Sequence, residues 1–230
     1  MRIERQQTLD VTRVYSDVTL DDVIVSDDAL FASGDAAQTE IARSSHVNAV
    51  LACAELTGVG KKLLEMTLEY AAQRVQFGRP VGSYQAVKHK CADIRMWVQS
   101  ATAATYYAAM AIDAQTSDHA RAVSVAKVCA SDAITRVAGE ALQLHGGVGF
   151  TWEHDLHLNL RRARTNALLY GDATHHRELL LQFVCPQPAD NDQLRQYVTS
   201  DARPSSASVR GTSERYGTVA PDKARRASSR

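Results

Sequence analysis

The chain has 230 residues, 45% of them hydrophobic and 23% charged, enough apolar material for one ordinary core plus appendages. A formal net charge of +0 and a pI of about 7.1 exclude a global field that favours nucleic acid or anionic membranes. No apolar run approaches the roughly 20 residues of a membrane span, and MRIERQQTLD lacks the apolar segment of a secretory signal. Cys53, Cys91, Cys129 and Cys185 are scattered without a C-x-x-C pair, which suits reduced thiols in a cytoplasmic protein better than disulfides or zinc.

The first element is strand-like. Val14, Ser16, Val18 and Leu20 alternate with mostly polar neighbours, Asp21-Asp22 signals a turn or bulge, and Val23 and Val25 resume the alternation. Two strands make no stable sheet alone. Residues 1–34 are therefore expected to be the remnant of a β-domain whose earlier strands lie outside this chain.

Residues 35–185 change to helical periodicity. Leu64, Leu68, Ala71 and Val75 form one stripe, and Val87, Cys91, Ile94, Val98, Ala101, Thr105, Ala108 and Ile112 a second. A third runs Ala126, Ala130, Ile134, Val137, Ala141, Leu144. Ala-rich stripes of this period predict a mostly α protein, an up-and-down helical bundle. Breaks fall at Gly78-Arg79-Pro80, at 115–118 and at Gly146-Gly147-Val148-Gly149. A fourth helix is expected over 152–169 and a fifth from His175. Residues 186–230 are rich in Ser, Arg, Pro and Asp and read as a disordered, solvated tail, its basic KARRASSR end included.

Two stretches carry chemistry. In Arg74-Val-Gln-Phe77-Gly78-Arg79-Pro80, a helix ends in a guanidinium, an aromatic and a Gly-x-Pro turn, and the next helix opens at Ser83 with Gln85 in its first turn. A donor fork beside a helix start suits an anion such as pyrophosphate; an ordinary helix–helix turn with a solvated Arg and a core Phe explains the same residues. Gln143-Leu-His145-Gly146-Gly147-Val148-Gly149-Phe150 places three glycines after a long helix, permitting a tight exit and close approach of a ligand. Taken alone, a helix C-cap is the better explanation of it.

In this order and separation, the two stretches resemble the C-terminal domain of acyl-CoA dehydrogenases. The similarity runs from Thr8 to Phe183, with TLDVTRVYSDVTLDDVIVSDDAL similar to the family's last middle-domain strands and Arg161 at the family's arginine after the glycine motif. The resemblance implies flavin adenine dinucleotide held between subunits, with Arg74, Phe77, Gln85, Gln143, Gly146 and Gly147 reaching a neighbour's cofactor. It also implies α,β-dehydrogenation of an acyl-CoA thioester: a carboxylate takes the α-proton as hydride leaves the β-carbon.

Two departures follow. The family's catalytic glutamate would fall at Tyr170 or Gly171 in Leu168-Leu169-Tyr170-Gly171-Asp172-Ala173-Thr174, leaving the shorter Asp172 as the candidate base. The family's alternative seat on the first bundle helix falls near Asn48. The chain also lacks the family's N-terminal helical domain and most of its middle domain. The expectation is a subunit, or C-terminal portion, that completes a flavin site with a homologous partner and is inactive alone. A helical interaction module that binds no flavin is the alternative. No metal is expected, because no inward Glu-x-x-His pairs occur, and there is no G-x-S-x-G elbow or P-loop. His145 is expected to line its turn, and Trp97, Tyr106 and Tyr107 to pack in the bundle.

Overall fold

A computed structural model describes residues 1–184; Cys185 and the tail expected over 186–230 lie outside the described residues. Strand β1 (Arg2–Gln6) pairs antiparallel with β2 (Tyr15–Thr19), Arg2 opposite Thr19 and Gln6 opposite Tyr15. The two strands are almost wholly exposed. The expected continuation at Val23 and Val25 is corrected: Asp22 turns the chain at φ 47, and the segment beyond it forms no strand. Alternation alone makes no strand without a neighbour to bond.

Asp10, in the β1–β2 connection, ties this hairpin to the helices. Its carboxylate is fully buried, accepts the Thr12 N–H at 2.9 Å and pairs with Arg162, which also bridges to Glu55 and Thr12. Burial pushes the Asp10 carboxyl up, but the Thr12 and Arg162 hydrogen bonds outweigh it and hold the group below its ordinary value.

Helices α1 (Gly34–Gln73), α2 (Gln85–Asp113), α3 (His119–His145), α4 (Leu156–Leu168) and α5 (Ala173–Val184) build the bundle. None of the five prolines falls inside them. Leu56 and Leu63 of α1, Ile94 of α2, Ile134 of α3 and Leu156 of α4 are sealed in one core. Its alanines let the helices close up, and at Gly60 an added Cβ would stand 2.5 Å from Ile134 Cδ1.

The second and third stripes lie on the core face, but the first is corrected. The buried face of α1 runs Cys53, Leu56, Gly60, Leu63, Thr67, Ala71, while Leu68 and Val75 are exposed. Ala71 is common to both faces and Leu64 packs against the core, so the true face is the expected one turned by about 60°. It was hidden because tight packing selects Gly60 and Thr67 there; the Thr67 hydroxyl is satisfied by Leu63 O at 2.7 Å. Tyr106 and Tyr107 also point outward instead of packing, and α4 starts at Leu156 instead of Trp152.

Candidate functional site

The two sequence stretches meet at one end of the bundle. Tyr70, one turn before Arg74, stacks on His145, the last residue of α3, with ring centroids 4.6 Å apart; His154 meets the same imidazole edge-on at 4.9 Å. His145 is buried, donates through Nδ1 to Ala141 O at 2.7 Å, and has its imidazole pKa pushed down by burial. It lines the turn, as expected.

Around this stack the candidate cofactor contacts project outward. Arg74 ends α1, its N–H donating to Tyr70 O at 2.9 Å and its carbonyl accepting from Val81 N at 2.8 Å. Val75–Gln76 then pair with Arg79–Pro80 as β3 and β4, so Phe77 and Gly78 form the tip of a two-residue hairpin with φ of 53 and 79. Phe77, read as a core residue under the plain-turn alternative, is 93% exposed. A single turn over Val81–Ser83 precedes α2, which begins at Gln85 and not at Ser83; its first turn has no side-chain cap. Gln85 and Gln143 are both exposed. Gly146 leaves α3 at φ 58 and ψ -141, and nothing lies within 4 Å of a Cβ added at Gly146 or Gly147.

Asp172 has a structural role. Its Oδ1 accepts the His175 N–H at 2.8 Å and its carbonyl accepts the His176 N–H at 3.1 Å, the geometry of an N-cap on α5. Gly171 has φ 92, and an added Cβ would stand 2.5 Å from His175 Cδ2, so position 171 accepts no glutamate without displacing that ring. Tyr170, at φ 57, carries its side chain 51% exposed. Its carbonyl lies 3.0 Å from His176 Nε2 and so takes that proton, while Nδ1 accepts from Ser124 Oγ at 3.2 Å. Burial lowers the His176 pKa, which keeps this neutral tautomer. Lys127, fully buried, donates to the carbonyls of Asn166 and Ala167 at 3.1 and 2.9 Å and fixes the end of α4 just before this loop.

Tyr70 and Tyr84 were not singled out in the sequence. Tyr84 carries the Arg79 guanidinium 4.0 Å above its ring and donates its hydroxyl to Gln76 O at 3.1 Å, stiffening the hairpin. A Tyr four before the Arg and a Tyr just before Gln85 were the available signals, both local to the first motif. Asn48 donates a long 3.5 Å hydrogen bond to the Ser44 hydroxyl. Among the described residues, no group of three or more His, Cys, Asp or Glu side chains is placed to hold a metal ion, and no helix is long and apolar enough to cross a membrane.

Residues 41–184 match the family model for the acyl-CoA dehydrogenase C-terminal domain. The chain is 45% identical over 121 residues to acyl-CoA dehydrogenase IpdE2 of Mycobacterium tuberculosis, covering 53% of this chain and 36% of that protein. It is 30% identical over 168 residues to FadE12 of the same species, covering 73% of this chain and 42% of that one. The fold superposes on butyryl-CoA dehydrogenase from Megasphaera elsdenii with a TM-score of 0.73 at 23% identity, over 79% of this chain and 47% of that one. A variant of the Tcur3481-Tcur3483 steroid acyl-CoA dehydrogenase gives 0.69 at 25% identity, over 80% and 48%. The chain thus spans under half the length of each of these proteins, in a family of FAD-dependent flavoproteins. With the family model covering most of the chain, and the two motifs converging on the Tyr70–His145 stack, the chain belongs to the acyl-CoA dehydrogenase family and carries its C-terminal domain.

Proposed function

We propose that this chain is a subunit or C-terminal portion of a flavin-dependent acyl-CoA dehydrogenase that completes a flavin site together with a partner chain. The observation that carries the reading is the Tyr70–His145 stack, which gathers Arg74, the Phe77 hairpin, Gly146 and Gly147 at one end of the bundle. The donor set fits the cofactor: a guanidinium fork, the amides of Gln85 and Gln143, and glycine backbone with open space beside it suit a pyrophosphate and adenosine. In this reading Phe77 packs against the nucleotide or the neighbouring chain. When bound, flavin supplies a hydride acceptor for the β-carbon of an acyl-CoA thioester.

The base belongs elsewhere. Asp172 is engaged at the start of α5, and Tyr170 occupies the glutamate's seat with a phenol and not a carboxylate. The carboxylate that accepts the α-proton is therefore assigned to the partner chain, and this chain alone has no dehydrogenase activity. The experiment is co-expression with a full-length homologue that carries a glutamate in the position of Tyr170. A yellow complex that reduces an artificial electron acceptor with an acyl-CoA supports the assignment. A colourless chain that never joins such a homologue favours the interaction-module reading.

A further inference from the structure

Among the described residues, His46 meets His119, His145 meets His154, and His175 meets His176. In the last two pairs one ring has no lone pair left to give. His154 Nδ1 accepts the Leu156 N–H at 3.2 Å, so its other nitrogen carries the proton. His176 is bonded through both nitrogens, to Ser124 Oγ and Tyr170 O. His46 and His119 differ. His119 Nδ1 donates to Thr116 O at 2.7 Å, which leaves the lone pair on Nε2. His46 Nδ1 is buried without a hydrogen-bond partner, a state that calls for an occupant beside it.

The spacing of this pair suits a shared ion. His46 lies on α1 and His119 opens α3, with ring centroids 5.4 Å apart. Two imidazoles on one tetrahedral zinc ion, at N–Zn distances of about 2.0–2.1 Å, have centroids roughly 5.2 Å apart. Both rings line a cavity of about 420 Å³, walled also by Thr39, Ala42, Ile112 and Gln115, which leaves room for water. Arg43 lines it too, but its charge is answered by Glu40 at 2.9 Å. The Thr116 carbonyl fixes the His119 ring through the nitrogen that faces away from the ion, the usual outer support of a metal-bound imidazole.

We propose that His46 Nδ1 and His119 Nε2 form a two-histidine site for a divalent cation of the zinc or copper(II) class, with water completing the shell. Imidazole suits these ions. Two protein ligands are fewer than a permanent structural zinc site uses, so the ion is exchangeable. Its effect is on α1. The first three turns of that helix, residues 34–45, bury no side chain, and His46 is where they join the bundle. An ion held by both rings clips this arm to the start of α3. The proposal stands on these two side chains and is independent of the flavin reading.

Calorimetric titration of zinc into the metal-stripped, full 230-residue chain tests it, with His46→Gln, His119→Gln and, as a control for other histidines, His157→Gln. The parent and His157→Gln are expected to bind zinc alike, and the His46 and His119 variants at least tenfold more weakly, with helical circular dichroism unchanged. Zinc is expected to raise the thermal midpoint of the parent and to slow hydrogen exchange over residues 34–50, and to do neither in those two variants. Copper(II) bound to the parent is expected to show two nitrogen ligands by electron paramagnetic resonance, a readout that needs no variant to fold. A parent chain that binds no zinc, or whose copper spectrum lacks a second nitrogen, reduces the pair to an aromatic contact and overturns the proposal. Parental zinc affinity in both His46→Gln and His119→Gln overturns it as well, by placing the ion elsewhere.

Discussion

Tyr70 and His145 stack at 4.6 Å with an interplanar angle of 26°, joining the last turn of α1 to the last turn of α3. The stack sets the distance between the Arg74 hairpin and the Gly146 exit. Tyr70→Ala removes a half-buried ring and its aromatic contact, a loss of about 2 kcal/mol, with roughly 0.5–1.5 of it from the stacking itself. The expected outcome is a lower thermal midpoint, with weaker flavin binding by the assembled complex. Tyr70→Phe keeps the ring and is expected to preserve both.

Buried imidazoles give the bundle an acid sensitivity. Burial lowers the pKa of His145 and His176, and burial with the neighbouring His119 lowers that of His46. The unfolded chain therefore binds protons at a higher pH than the folded one. This contribution to stability is complete above the ordinary imidazole value of 6.5 and declines as pH falls from there through the depressed folded values. Urea midpoints are expected to fall between neutral pH and about pH 5, less steeply in a His145→Gln, His176→Gln chain. Asp10, held below its ordinary 3.8, adds its own loss only in stronger acid, as pH falls through that lower value.

The two roles open to Asp172 separate cleanly by substitution. Asparagine caps a helix about as well as aspartate but cannot accept the α-proton; alanine does neither. Asp172→Asn is expected to leave both stability and the activity of the assembled complex largely intact. Asp172→Ala is expected to lower stability by about 0.5–2 kcal/mol while leaving the turnover of the folded complex unchanged. Loss of turnover in Asp172→Asn with unchanged folding would place the base here after all.

Arg162 holds the hairpin to the bundle. Arg162→Ala strands the fully buried Asp10 carboxylate, and uncompensated burial of a charge costs about 3–5 kcal/mol. The hairpin escapes that cost by detaching, since β1 and β2 bury little. Hydrogen exchange of residues 2–19 is expected to accelerate strongly in this variant, while α1–α3 keep their protection.

The all-α bundle, its breaks and the two motifs were legible because periodicity and glycine placement are local signals. Leu68 misled because a large apolar residue outweighs a neighbouring threonine in any pattern, whereas packing distance chose Thr67. Val23 and Val25 misled because a strand depends on a partner that the sequence does not display. At the candidate site, Arg74 and Gln85 could be read from their motif, but the joining of Tyr70 to His145 crosses 75 residues of sequence and has no periodic trace. The residue type of Asp172 was visible in the sequence, but the hydrogen bond it accepts from the His175 N–H, which makes it a helix cap, was not.

The most direct test of the flavin-site reading is an FAD titration of the complex formed with a glutamate-bearing homologue, comparing the parent chain with Arg74→Ala and Arg74→Lys. A charge-assisted contact to pyrophosphate is worth about 1.5–3 kcal/mol, or roughly ten- to a hundredfold in affinity. Arg74→Ala is expected to weaken FAD binding by that factor with helical content unchanged, and Arg74→Lys to recover part of it. Equal FAD affinity in all three complexes would contradict the assignment of this corner of the bundle to the cofactor.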